Sequence, residues 1–129
     1  MEAVCRGAFE AGGPSLGVLL SDGEPNRWVS TTVRAPDLGA RLKLLCDESS
    51  AAIFLPRGLG TLLEITWASE SIAKGRMPAR PLVFLGVFWR RAAALAVSES
   101  VGPGASSLAE SIRFVAGPEQ AVDEAMAGA

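Results

Sequence analysis

The sequence predicts an α/β protein built on a parallel sheet of about five strands, covered by helices on both faces. Three observations predict it. The short apolar runs Leu16–Leu20, Ala51–Leu55 and Leu82–Leu85 read as strands buried on both sides. Between and around them lie segments whose apolar residues recur at helical spacing. Strands and helices alternate along the chain, as parallel sheets require.

Each element has a local reason. Residues 1–11 predict a helix with Ala3, Val4, Ala8 and Phe9 on one face, stopped by Gly12-Gly13. The strand Leu16–Leu20 runs into Asp22-Gly23 and Pro25, which are turn formers. Residues 28–33 alternate and carry β-branched side chains, so they predict a second strand or an extended segment. Asp37 is suited to cap a helix over 38–48, with Leu42, Leu45 and Cys46 facing inward. After the strand 51–55, Ile65, Ala68 and Ile72 mark a helix from about Thr61 to Lys74, ending at Gly75. Pro81 opens the strand 82–85. A helix over 89–100, a loop at Gly102-Pro103-Gly104, a strand over 112–116 and a terminal helix from Pro118 complete the chain. No linker or repeat divides it, and the reading is a single domain over residues 1–129.

The totals narrow the function. The chain has 129 residues, 49% hydrophobic and 20% charged, which is globular composition with enough length for a core. A net charge of −2 provides no electrostatic footprint for nucleic acid or an anionic membrane. No run approaches membrane-spanning length, and the amphipathic start with Glu2 and Glu10 is neither a signal peptide nor an anchor, so the expected location is cytoplasmic. Cys5 and Cys46 lie far apart without CxxC spacing and read as small buried thiols. Histidine is absent, which removes the commonest general base, the Ser-His and Cys-His pairs and most zinc sites. No metal or cofactor is expected. Chemistry falls to carboxylates, arginine or lysine.

The most informative stretch is Pro56-Arg57-Gly58-Leu59-Gly60-Thr61-Leu62-Leu63-Glu64. It follows a predicted buried strand, its glycines permit a tight turn, and Thr61 is suited to cap the next helix. Strand, glycine turn and helix start make an anion site from backbone N–H groups and the helix dipole. Glu64 then lies about one turn into that helix. Many α/β proteins use such a turn only for close packing, and this one matches neither the Walker pattern nor the GxGxxG fingerprint. Glu64 also has a plainer reading, a solvated acid stabilised by the helix dipole by about 0.3–1 kcal/mol. Arg41 could equally pair with Asp37 four residues earlier. Trp67 and Trp89 read as core or interface aromatics, and Arg76, Arg80, Arg90 and Arg91 as a solvated face.

Residues 56–64 resemble the PGGxGTxxE motif of the LOG family, once widely labelled lysine decarboxylase-like. Arg41 lies fifteen residues before Pro56, at the spacing of that family's helical arginine. Thr66-Trp67-Ala68 and the strand 82–86 also fit, and Met1-Glu2-Ala3-Val4 resembles the helix after the family's GGGxxGLM element. The departures are specific. Arg57 replaces the first motif glycine, and Gly39-Ala40 stand where phosphoribohydrolases usually have a His-Glu pair. The family's first strands and its GGGxxG loop would precede Met1, so the chain is expected to start late relative to its relatives.

The resemblance implies a Rossmann-like three-layer fold and a nucleoside 5′-monophosphate phosphoribohydrolase, which releases the free base from an AMP- or cytokinin-type nucleotide. It implies Arg41 and Glu64 as the catalytic pair. Arg57, Gly58, Leu59, Gly60 and Thr61 would hold the phosphate, and a homodimer is expected. An oxocarbenium-like transition state makes a carboxylate beside the ribose sensible. The alternatives are a protein that binds a nucleotide or molybdenum cofactor without turnover, or an inactive remnant.

Overall fold

The computed structural model describes residues 1–128 of the chain, which divide into two compact units, the first over residues 1–48 and the second beginning at Ser49. Among the described residues five strands form, every pairing is parallel, and they are shared between a two-stranded and a three-stranded sheet. The chain is therefore α/β and of Rossmann-like type, with six helices among the described residues.

In the first unit α1 (Glu2–Glu10) ends where Gly12 takes φ 74° and Gly13 N–H bonds back to Ala8 O at 2.8 Å, as the Gly-Gly pair predicts. Strands β1 (Leu16–Leu20) and β2 (Thr31–Ala35) pair with Val18 opposite Val33. The second strand begins later than the alternation predicts, for a local reason. Asn26 Oδ1 accepts from Trp28 N–H at 3.0 Å and Asn26 O accepts from Val29 N–H at 3.1 Å, which folds residues 26–29 into a turn. Helix α2 (Leu38–Asp47) starts at Asp37, whose Oδ1 accepts from Ala40 N–H at 2.8 Å. That is the predicted cap. The core of this unit is small: Val18, Ala35 and Leu42 are its buried side chains among the described residues. Leu45 and Cys46 are half-buried, less than their predicted inward position would suggest.

The second unit is built around strands β3 (Ala52–Phe54), β4 (Leu82–Leu85) and β5 (Ile112–Val115), in that spatial order. The register places Phe54 beside Phe84 and Phe84 beside Phe114. Their rings follow suit, with centroids 4.9 and 5.1 Å apart. An aromatic ladder thus runs across one face of the sheet. On the other face Val83 and Val115 pack with Ala121 and Ala125 of α6 (Pro118–Ala127). Leu82, Val83 and Phe84 are almost wholly buried because both faces are covered, which is why this strand reads as one continuous apolar run.

Helix α3 (Leu59–Ala73) buries Ile65, Ala68 and Ile72, as their spacing predicts. It is followed in sequence by α4 (Arg90–Ser98) and α5 (Ala105–Ser111) on either side of Gly102-Pro103-Gly104. The sequence reading has no counterpart to α5, whose serines favour loops. Packing makes it helical: Leu108 and Ser111 are buried, and its entry is pressed onto the end of α3. A Cβ on Gly104 would lie 2.0 Å from Ile72 O, so only glycine allows this approach. Among the described residues no helix is long and apolar enough to cross a membrane.

Candidate functional site

Parallel sheets gather ligands at the carboxyl ends of their strands. In the second unit that edge is formed by the turn after β3 and the loop after β4. Arg57 has φ 79° and Gly58 φ 97°, so the chain reverses through two successive residues of positive φ. Among the described residues Arg57 is the one non-glycine in this region, and αL backbone there costs roughly 1–2 kcal/mol. The turn thus keeps a backbone shape suited to glycine while carrying an exposed arginine.

Helix α3 begins one turn earlier than Thr61 predicts. Gly58 is its N-cap, and Leu62 N–H donates to Gly58 O at 3.2 Å. Thr61 lies in the first turn, its Oγ1 3.8 Å from where a Cβ on Gly58 would sit. Helix geometry leaves the N–H groups of Leu59, Gly60 and Thr61 without intrahelical partners. They sit at the positive end of a fifteen-residue helix. A Cβ on Gly60 would meet nothing within 4 Å, so the helix is uncrowded at that position of its first turn. The earlier start also moves Glu64 into the second turn, where it is half-buried and the dipole acts on it weakly.

The loop after β4 braces this edge through a contact that sequence reasoning missed. Trp89 is buried, and its Nε1–H donates to Leu55 O at 2.8 Å, tying the residue before Pro56 to the start of α4. The signal was available in principle, because a buried indole needs an acceptor. Gly86, at φ 75°, turns the chain out of β4, and Phe88 stands edge-on to Trp89 at 4.7 Å. Arg90 lies over the Phe114 ring at 4.7 Å, and Arg80 Nη1 donates to Ser49 O. Neither arginine is merely part of a solvated face. Trp67 is partly exposed on α3.

Arg41 belongs to the first unit. It is half-buried on α2, and its Nε donates to Val18 O at 3.0 Å. Asp37 uses its carboxylate to cap Ala40 rather than to pair with Arg41. Arg57 through Glu64 belong to the second unit, where one strand–turn–helix connection brings them together. A second loop at a strand's carboxyl end, Ser21–Arg27 after β1, is closed by comparison. Arg34 Nη1 donates to the carbonyls of Leu20, Ser21 and Gly23 at 3.3, 3.0 and 2.8 Å.

The protein family described as "Possible lysine decarboxylase" matches residues 1–125 of the chain. No curated protein matches it. Lys43 pairs with Asp47, and Lys74 donates to Val101 O at 2.7 Å at the far end of α3, both on exposed surface.

Proposed function

The chain belongs to the lysine decarboxylase-like, or LOG, family, and from that membership we propose that it is a nucleoside 5′-monophosphate phosphoribohydrolase. Water would add to C1′ of the ribose while the N-glycosidic bond breaks and the base leaves protonated. The observation that carries the reading is the turn from Arg57 to Thr61, with three helix N-terminal amides that have no intrahelical partner and a carboxylate, Glu64, one turn further on. A phosphate dianion suits such amides and the helix dipole. Arg57 would add a cation to it. Glu64 would stabilise the oxocarbenium-like ribose and orient the water. Arg41 would assist the leaving base or the phosphate, as its place in the family pattern suggests.

Arg57 also favours a second reading, a nucleotide-binding protein without turnover, because a bulky cation at the turn can hold a phosphate and screen it from water. The two separate in one experiment. Purified protein is incubated with AMP and with a cytokinin-type monophosphate, and free base and ribose 5-phosphate are measured. We expect release that falls by at least about a hundredfold in Glu64→Gln, the scale for losing a group that acts in the transition state. Calorimetric binding of AMP without release would establish the second reading, and neither binding nor release would reject both.

A further inference from the structure

Acids and bases are unevenly spread along this chain. From Ser71 to Ser98 there is no aspartate or glutamate, although Lys74, Arg76, Arg80, Arg90 and Arg91 fall there and the whole chain has a net charge of −2. Arg90 and Arg80 are engaged, one over the Phe114 ring and the other with Ser49 O. Lys74 Nζ gives one of its N–H groups to Val101 O at 2.7 Å. Arg76 is exposed, and among the described residues no acid pairs with it.

Arg76 lies in the loop that leaves α3, and that loop borders a groove of about 400 Å³ within the second unit, in the size range of small-ligand pockets. Its walls are Ile72 at the end of α3, Met77 and Pro78 in the loop, and Pro103 and Ser107 on the side of α5. Both sides are fastened to α3. Arg76 N–H and Met77 N–H donate to Ser71 O at 2.8 and 3.1 Å, which folds the loop back onto the helix. Opposite, Gly104 N–H donates to Ala73 O at 3.0 Å. The two prolines fix their own φ, so the walls have little order left to lose on binding. The groove lies at the other end of α3 from the turn at 56–61, about 20 Å away along that fifteen-residue helix.

We propose that this groove binds a small carboxylate with a compact apolar body, the body lying among Met77, Pro78 and Pro103 and the carboxylate meeting Arg76. Charge selects the head group. An anion is drawn to a segment that carries Lys74 and Arg76 and no acid, whereas a cation of the same shape is repelled by it. The Ser107 hydroxyl in the wall adds a donor for a carboxylate oxygen. The proposal stands apart from the nucleotide reading, which places its phosphate at the start of α3.

A 1H–15N correlation spectrum of the full chain titrated with octanoate, and separately with octylammonium, tests this. Octanoate should shift the amides of Ile72, Gly75, Met77, Gly104 and Ser107 saturably, with a dissociation constant at or below about 1 mM, and octylammonium should bind at least about tenfold more weakly. Arg76→Glu should weaken octanoate at least about fivefold, whereas Arg27→Gln in the first unit should leave it unchanged. Ala79→Phe, which fills the groove from an exposed position in its wall, should abolish the shifts. No saturable shift by about 10 mM octanoate would overturn the proposal. So would octylammonium binding as tightly as octanoate, octanoate shifts centred on Gly58 to Thr61, or an Arg76→Glu protein that binds like the wild type. The two wild-type titrations decide the matter even if a variant fails to fold. Hydrolysis of AMP reports the other end of α3, so either proposal can fail without the other.

Discussion

The two parallel sheets of this protein use the same pairing for different ends. In the second unit β4 is covered on both faces, and its Leu82, Val83 and Phe84 are almost wholly inaccessible. In the first unit β2 exposes four of its five residues, with Ala35 alone buried. The loops at the strand ends differ as well. After β1 a guanidinium closes the loop on three carbonyls, whereas after β3 the turn leads into a helix whose first amides have no intrahelical partner. A site needs that combination: exposed backbone donors mounted on an element that cannot move. The dense unit provides the mounting, through the phenylalanine ladder beneath and the Trp89 brace beside the turn.

The sharpest way to break the comparison is to remove one side chain from each sheet. Phe84→Ala takes the middle ring out of the ladder, and about 3–5 kcal/mol of stability should go with it in urea unfolding. Val33→Ala removes a 38%-exposed side chain from β2 and should cost under about 1 kcal/mol. Equal losses would mean that the first unit is packed more firmly than its burial indicates.

A second pair of variants separates glycines that hold the fold from one that serves the turn. Gly104→Ala drives a methyl group to 2.0 Å from Ile72 O and should destabilise by about 1–3 kcal/mol as α5 is pushed off α3. Gly60→Ala meets nothing and lies within a helix, so it should stabilise by about 0.5–1 kcal/mol. The same methyl group narrows the approach to the α3 amides, and AMP affinity should fall at least about tenfold as stability rises. Thermal unfolding and calorimetry on the same samples check both signs. Stability and affinity rising together would remove the turn from the binding site.

Much of this was legible in the sequence, where one residue type had one physical job. The continuous apolar run at 82–85 could only be a strand covered twice, Asp37 was a cap by its side chain alone, and the glycines after Leu55 marked a turn into a helix. What was not legible depended on partners distant in the chain. The phenylalanine ladder exists only once the register of three strands is set. Helix α5 is masked in the sequence by its three serines and its Gly-Pro-Gly entry, and it forms where the end of α3 receives it. Gly58 rather than Thr61 caps α3, since its positive φ lets the helix start at once. At the site the positions 57–64 were found from spacing, whereas the Trp89 brace and the left-handed backbone of Arg57 needed coordinates.

The central claim is that backbone amides at the start of α3 receive a phosphate. The most direct measurement is a 1H–15N correlation spectrum of the protein titrated in turn with AMP, ribose 5-phosphate and adenosine. The account predicts that the amide signals of Gly58, Leu59, Gly60 and Thr61 move together with AMP and with ribose 5-phosphate, and stay in place with adenosine. Signals that remain still with AMP, or shifts confined to the Arg34-closed loop after β1, would contradict it.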